Sequence, residues 1–185
     1  MRIIGGTCKG RHLAPLKGGQ TRPTRDRIRE AIFDILEPQG PFLHVADLFA
    51  GSGAMGLEAL SRWGGKAVFV ESSRPAMDCL RENIHRLKME DQSRLIQRDL
   101  DRGVQFLAKI DDPFDLVFSD PPYGQSWCNL IISSVLNTPV LKATGILVLE
   151  HDLKEPIPEQ VGDWGIRDQR RYGRTRVSFY SFMKR

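Results

Sequence analysis

Short apolar runs alternate with amphipathic segments along most of the chain, and this alternation predicts strands and helices in turn. Apolar runs bounded by charges, glycines or prolines predict buried strands at 43–49, 66–71, 94–97, 114–119 and 145–150, with two late strands near 164–167 and 177–182. Apolar residues at helical spacing predict helices near 28–36, 57–62, 73–87, 103–110 and 129–136. This alternation favours a doubly wound α/β sheet of about seven strands, and the two late strands favour an antiparallel edge.

The N-terminal 40 residues form a distinct part of this prediction. Residues 1–20 mix short apolar pairs with glycines, which is typical of a small β-hairpin or an irregular arm rather than of core. The following helix has one apolar face, and Arg22, Arg25 and Arg29 line its approach and one side, so it can pack on the body while presenting cations. An ordinary amphipathic cover helix explains the same pattern. We expect one domain over residues 1–185, with a basic arm and helix at 1–40 packed on it.

Composition limits the class of protein. The chain has 185 residues, of which 41% are hydrophobic, and this fits one domain with a substantial core. No apolar run approaches membrane-spanning length, and the N-terminus carries no secretion signal. The three cysteines and four histidines are scattered, without the spacing of disulfide frameworks or metal ligands. These features favour a cytoplasmic protein with neither a metal nor a membrane partner.

The net charge of +4 conceals a strong asymmetry along the chain. Residues 1–30 contain eight Lys and Arg against two acids, residues 167–185 contain seven against one, and the segment between them contains 12 against 20. An acidic body with two basic ends suggests a polyanion that docks at those ends. A solvated charged face accounts for the same residues, so charge alone does not decide between the two.

A glycine-rich turn follows the first predicted strand, and an acid ends the second. Gly51, Gly53 and Gly56 let the backbone approach a ligand closely where a helix begins. Glu71 lies twenty positions after Gly51, where a carboxylate can bind ribose hydroxyls. This pattern alone fits a dinucleotide as well as other adenosine ligands.

Two further acids narrow the choice of ligand. Asp47 lies inside the strand before the glycine turn, where its charge would repel a pyrophosphate but could hold an ammonium group. Asp99 ends the third strand, where it could accept from an adenine amine, although a helix N-cap is a reasonable alternative for this residue. Adenosine together with a positively charged amino acid describes S-adenosylmethionine.

The fourth predicted strand stops abruptly at the sequence Ser-Asp-Pro-Pro-Tyr, residues 119–123. Two prolines remove backbone donors and stiffen the turn, so the Asp120 carboxylate and the Pro121 carbonyl are acceptors on a rigid loop beside the ring of Tyr123. Such a set suits a flat heterocycle with an NH2 group, which donates to the two acceptors while its face stacks on the ring. A simple turn after a strand is the alternative reading.

Together these motifs resemble the class I S-adenosylmethionine-dependent methyltransferases that modify exocyclic amines. The resemblance rests on the sequences DLFAGSG at 47–53 and SDPPY at 119–123. RIIGG at 2–6, RPT at 22–24, DRIRE at 26–30 and GLEALSR at 56–62 resemble the RsmD branch, which methylates the 2-amino group of a guanine in bacterial 16S ribosomal RNA. The likeness covers nearly the whole chain. It implies a Rossmann-like sheet, S-adenosylmethionine as cofactor, and ribosomal RNA as partner, within the small subunit or its precursor.

The resemblance also implies a role for each motif residue. The methionine part of the cofactor would be held by Asp47 and by the loop with Phe49, Gly51 and Gly53. Glu71 would bind the ribose, and Asp99 with the backbone of Leu100 the adenine. Asp120, Pro121 and Tyr123 would receive the guanine and carry catalysis. RNA contacts are expected from Arg22, Arg25, Arg29, Pro122 and Arg171.

Three other functions are compatible with parts of the sequence. An adenine amino-methyltransferase shares the Asp-Pro-Pro-Tyr motif, but sequence-specific DNA enzymes of that kind usually need a target-reading domain for which 185 residues leave no room. A non-catalytic RNA-binding module would not need acids at all four sites. A dinucleotide oxidoreductase is disfavoured by Asp47 and by the Pro-Pro turn.

Overall fold

The computed structural model of the protein describes residues 1–16, 23–122 and 127–183, and the side chains of residues 23–25 lie outside the description. The chain divides into two compact units, Met1–Arg98 and Asp99–Arg185. The expectation of a single domain over the whole chain stays a prediction. Among the described residues, no helix combines the length and the apolar character that crossing a membrane requires.

In the part of the first unit that the structure describes there are three parallel strands and three α-helices. The strands pair side by side in the order β3-β2-β1, and their carboxyl ends align, because Leu48 pairs with Val70 and Val70 with Ile96. All three strands and all three helices lie where the apolar pattern predicts them, with ends that differ by a few residues. In chain order they are α1 Pro23–Leu36, β1 His44–Leu48, α2 Ala54–Trp63, β2 Lys66–Glu71, α3 Arg74–Leu87 and β3 Ser93–Gln97.

The N-terminal arm, defined here as residues 1–16, is an irregular hairpin closed by a bridge between Arg2 and His12. The hairpin was predicted, but its exclusion from the core was wrong, since Ile3 is 0% and Leu13 4% exposed. Glu58 of α2 explains the difference. Its carboxylate is fully buried and accepts hydrogen bonds from the backbone N–H groups of Ile4 at 2.8 Å and Gly5 at 2.7 Å.

Arg29 of α1 also holds the N-terminal arm, so that it forms with Glu58 the anchor of the arm. Its predicted RNA contact is contradicted by its position. The residue is 3% exposed, and its guanidinium donates to the carbonyl of Arg2 at 2.6 Å and lies 3.6 Å from the Glu58 carboxylate. Burial lowers the pKa of Arg29, while the charges of Glu58 and Asp26 oppose that effect. The apolar face of α1 therefore includes this cation, which connects the helix to the arm instead of to a nucleic acid.

Replacement of Glu58 by alanine is expected to lower the free energy of unfolding by about 3–5 kcal/mol, because the variant removes the buried carboxylate that faces the buried Arg29 guanidinium. Urea denaturation followed by circular dichroism measures the change. The matched control is Glu30→Ala, an exposed acid of α1, for which the change should stay within about 0.5 kcal/mol. Equal stability of the two variants would contradict the assignment of Glu58 as the anchor.

The second unit contains one parallel strand pair extended by antiparallel strands. Its strands pair side by side in the order β4-β5-β8-β7-β6. Strands β5 and β7 are longer than the apolar pattern predicts, because their polar ends pair in the sheet up to Asp152 with Thr175 and Tyr172 with Thr175. In chain order the elements are α4 Leu107–Ile110, β4 Phe114–Ser119, α5 Trp127–Leu136, β5 Leu141–Asp152, β6 Gln160–Val161, β7 Trp164–Tyr172 and β8 Thr175–Phe182.

The helix predicted from residue 103 is wrong at its beginning. Gly103 adopts a left-handed conformation with φ 74°, and its N–H donates to the Leu100 carbonyl in a turn. A Cβ atom at this position would lie 2.7 Å from the Cβ of Ser134. Only the last turn of the predicted segment, α4, is helical.

Candidate functional site

The glycine loop joins β1 to α2 through residues with unusual backbone angles. Gly51 has φ 56° and Gly53 φ 80°, a region that L side chains rarely adopt. At Gly53 a Cβ atom would also lie 2.3 Å from a methyl group of Leu80. Phe49 has φ 58° without being glycine, a strain of roughly 1–3 kcal/mol that proteins retain mainly at functional sites. These backbone angles let the loop bring its backbone close to a ligand at the carboxyl end of β1.

Glu71 holds this loop from the end of β2. Its Oε2 accepts from the Gly51 N–H at 2.8 Å, and its Oε1 accepts from the Ser73 N–H at 2.8 Å. A carboxylate oxygen can accept more than one hydrogen bond, and the residue is half-buried, so both oxygens keep capacity for ligand hydroxyls. The predicted contact with a ribose stays a prediction. Glu71 has in addition a structural role that the sequence did not reveal.

Asp47 is 4% exposed and is hydrogen-bonded to the backbone of α2. Its Oδ2 accepts from the Gly56 N–H at 2.9 Å, in the first turn of α2, where the helix dipole favours a negative charge. The observed contact is structural, and the predicted interaction with an ammonium group stays a prediction.

Asp99 and Leu100 begin the second unit. Asp99 is exposed, and its Oδ1 accepts from the N–H of Asp101 at 3.0 Å, which makes a local side-chain turn. Its alternative role as a helix N-cap does not apply, since the next helix begins at Leu107 behind Phe106. Leu100 is 2% exposed, so its side chain fixes the turn while the Asp99 carboxylate remains accessible.

The Asp-Pro-Pro segment leaves β4 from a buried base. Ser119 is 3% exposed and pairs with Leu149 of β5, whereas Asp120 is exposed, Pro121 buried and Pro122 exposed. The abrupt change from buried strand to exposed carboxylate was predicted. Tyr123, the predicted stacking residue, lies outside the described residues.

Two groups next to this segment were not singled out from the sequence. The Oγ of Ser119 is buried and makes no hydrogen bond within the described part of the chain, which is unusual for a buried polar atom. Burial raises the pKa of the Cys128 thiol, and the charges of Glu155 and Asp120 raise it further. Cys128 is therefore a neutral packing residue close enough to Asp120 to respond to its charge.

The predicted RNA-binding residues divide into three groups. Arg22 lies outside the described residues, as does the side chain of Arg25, and Arg29 is buried as described above. Arg171 is exposed at the turn between β7 and β8, where its Nε donates to the Gly173 carbonyl at 3.1 Å. The nearby Arg174 is 86% exposed at its side chain and lies 3.0 Å from Asp152. This hairpin presents cations to solvent.

Metal binding has no support in the described ranges. Within residues 1–16, 23–122 and 127–183, no three His, Cys, Asp or Glu residues are grouped so that they could hold a metal ion.

Comparison with known proteins identifies the family to which these features belong. A family model described as "conserved hypothetical protein 95" matches residues 1–181. The ribosomal RNA small subunit methyltransferase D of Escherichia coli K12 is 31% identical over 180 residues, which cover 97% of this chain and 89% of the relative. The chain belongs to the RsmD family of methyltransferases.

Other relatives extend the RsmD likeness over the whole chain. A Bacillus subtilis protein named as a candidate rRNA methyltransferase, YlbH, is 34% identical over 180 residues, which cover 97% of this chain and 98% of the relative. The solved structure of E. coli yhhF, described as a candidate methyltransferase, superposes with a TM-score of 0.85 at 31% identity and covers 100% of this chain and 99% of its own. The predicted fold is confirmed: a mixed, mostly parallel α/β sheet of the Rossmann-like methyltransferase class that ends in an antiparallel strand.

Proposed function

We propose that this protein transfers a methyl group from S-adenosylmethionine to the 2-amino group of a guanine in 16S ribosomal RNA. The observation that carries the proposal is the match of residues 1–181 to the RsmD family, in a chain that has an Asp-Pro-Pro segment at the end of a buried strand. We place the protein in the cytoplasm, where bacterial ribosomal RNA is made, with the small subunit or its precursor as partner.

The first unit would bind most of the methyl donor. S-adenosylmethionine supplies a methyl group already activated on a sulfonium. Glu71 accepts from the two ribose hydroxyls through the lone pairs that its backbone bonds leave, and the glycine loop and Asp47 hold the methionine part. Asp99 accepts from the adenine amine, with the backbone of Leu100 beside it. The free lone pairs of the Glu71 carboxylate and the exposed carboxylate of Asp99 support this assignment.

The Asp120 carboxylate would orient the acceptor. It accepts an N–H of the guanine 2-amino group and, with the Pro121 carbonyl, turns the nitrogen lone pair out of conjugation with the ring. As the nitrogen takes the methyl group from the sulfonium it becomes cationic, and the Asp120 charge would stabilise that state until one proton passes to solvent water. Tyr123 stacks on the base, which must leave its own stack to reach the loop.

Orientation should supply most of the rate enhancement. Holding two reactants in line lowers a barrier by roughly 7–11 kcal/mol, whereas general acid–base help supplies about 10²–10⁴-fold. Because the leaving group is a neutral thioether, the reaction needs no acid to protonate it. No histidine is therefore needed for the chemistry.

Methyl transfer from labelled S-adenosylmethionine tests the proposal. Purified protein is incubated with deproteinised 16S rRNA, small ribosomal subunits or duplex DNA, and the label in nucleic acid is counted. We expect label in one or both RNA substrates and none in DNA. Label in DNA would favour an adenine amino-methyltransferase, and cofactor binding without transfer to any acceptor would favour an RNA-binding module.

The basic hairpin between β7 and β8 provides a separate expectation. If Arg171 neutralises an RNA phosphate, Arg171→Ala should make the negative slope of log affinity against log salt shallower by about 0.7 and weaken binding to unrelated RNAs as well. Filter binding at several salt concentrations measures the slope. Lys142→Ala, which removes an exposed lysine paired with Asp115, is the control and should leave the slope unchanged. An unaltered slope for Arg171→Ala would assign the residue to a solvated face.

A further inference from the structure

The N-terminal arm is bound to the two helices that frame the glycine loop. On the side of α2, the hydroxyl of Ser61 donates to the Gly5 carbonyl at 2.6 Å and accepts from the Cys8 N–H at 2.9 Å. On the side of α3, Arg11 donates to the carbonyl of Leu87 at 3.3 Å and to that of Arg86. The arm is therefore hydrogen-bonded to both helices, and a change in its position would be felt by both.

Asn83 of α3 connects the end of this arm to the glycine loop. Its Oδ1 accepts from the Ala14 N–H at 2.6 Å, and its Nδ2 donates to the carbonyls of Ala14 at 3.2 Å and Ser52 at 2.9 Å. Both amide N–H groups are thus used, one toward the arm and one toward the loop. The residue is 0% exposed, so this orientation of the amide is imposed by its partners.

The arm also limits the space beside the loop. A methyl group of Leu16 lies 3.5 Å from the position that a Cβ of Gly51 would occupy, so a side chain at Gly51 would meet the arm. Gly51 is the residue whose N–H donates to Glu71. A shift of the arm at Ala14 or Leu16 therefore changes the surroundings of the loop that the proposed function assigns to the cofactor.

The same arm exposes cations. Arg2, Lys9 and Arg11 are solvent-exposed, and they belong to the basic N-terminal end of the chain. A polyanion bound to them would restrict the arm, and the arm in turn restricts the loop through Asn83. Two ligands that each favour the same arrangement of one element bind cooperatively, and the coupling is reciprocal.

We propose that the N-terminal arm couples RNA binding to cofactor binding and that Asn83 is the positioning residue for this coupling. The inference rests on the proposed function, since it takes the glycine loop as the cofactor site and RNA as the polyanion. RNA bound to the arm stabilises the loop in its cofactor-binding arrangement, and bound cofactor stabilises the arm for RNA by the same factor.

Calorimetric titration of S-adenosylhomocysteine, with and without a 16S rRNA fragment, tests the coupling. In the wild type we expect the RNA to tighten binding by about 5-fold or more, the lower end of typical coupling factors. Asn83→Asp places a carboxylate against two carbonyls and removes both N–H donors. The loss of the hydrogen bond to the Ser52 carbonyl of the loop alone should weaken binding roughly tenfold. The RNA effect should fall to none in this variant.

Leu16→Ala provides a second route that leaves the buried amide intact. It should weaken S-adenosylhomocysteine binding several-fold and reduce the RNA effect, with an unchanged melting temperature. The matched controls are Asn137→Asp and Leu43→Ala, which alter an exposed asparagine and a leucine that is 51% exposed. Both controls should keep the wild-type affinity and coupling.

The outcomes separate this inference from the proposed function. If the wild type binds no S-adenosylhomocysteine, the proposed function fails. If the wild type binds it and methylates RNA, but RNA does not change the affinity, or folded Asn83→Asp and Leu16→Ala behave as the wild type, only the coupling is overturned. A loss of coupling in both variants, with the controls unchanged, supports it.

Discussion

Replacement of Asp120 by alanine is expected to slow methyl transfer by about 10²–10³-fold, the effect of removing one preorganised electrostatic partner from a transition state. The reason is that this carboxylate supplies the negative charge of the Asp-Pro-Pro segment, and that charge stabilises the cation forming on the nitrogen. Asp120 is exposed at the end of a buried strand, so the fold should not depend on it. Single-turnover rates with labelled S-adenosylmethionine, together with calorimetric affinity for S-adenosylhomocysteine, measure the two effects separately.

Two further variants sharpen this prediction. Asp120→Asn keeps an acceptor oxygen and loses the charge, so its rate should lie between those of the wild type and Asp120→Ala. Asp112→Ala changes an exposed acid of the same unit and should retain the full rate. An Asp120→Ala protein with an unaltered rate would show that the carboxylate does not hold the acceptor amine.

Replacement of Glu71 by glutamine is expected to weaken S-adenosylhomocysteine binding by roughly 10²-fold. Hydrogen bonds to a charged group contribute about 1.5–3 kcal/mol each, and 1.4 kcal/mol corresponds to a tenfold change in affinity. The amide would also direct its NH2 group toward one of the two backbone N–H donors, Gly51 or Ser73. Isothermal titration measures the affinity, and Glu30→Gln, an exposed position in α1, is the matched control.

A ligand lacking one ribose hydroxyl distinguishes the binding role of Glu71 from its structural role. For the wild type, the 2′-deoxy analogue of S-adenosylhomocysteine should bind at least tenfold more weakly than the parent compound. For Glu71→Gln the two ligands should bind almost equally, since the hydroxyl has lost its partner. An equal penalty for the analogue in both proteins would mean that Glu71 only shapes the loop.

The alternating part of the fold could be predicted because its strands are apolar runs with sharp ends. Lys66–Glu71 and Phe114–Ser119 were predicted to the residue, since a charge or a proline follows each run. The N-terminal arm could not be predicted in this way. Ile3 is buried because Glu58, more than fifty positions away, accepts the neighbouring backbone N–H groups, and no local pattern announces such a contact.

In the candidate site, too, the residues marked by a local pattern could be predicted, and those that depend on distant contacts could not. The positions of Glu71 at the end of β2 and of Asp120 directly after β4 were predicted, because the ends of strands can be read from hydropathy. Arg29 was misplaced because an arginine on an amphipathic helix normally faces water, whereas here it pairs with buried Glu58. Asn83 was missed because an asparagine inside a helix gives no signal until the chain brings Ala14 and Ser52 to its amide.

Nucleoside analysis of the methylated RNA tests the central claim most directly. Labelled 16S rRNA from the transfer reaction is digested to nucleosides, and the label is separated by chromatography against methylated standards. The account predicts that the label elutes with N2-methylguanosine and is absent from the product of the Asp120→Ala protein. Label in N6-methyladenosine, or equal label from that variant, would contradict it.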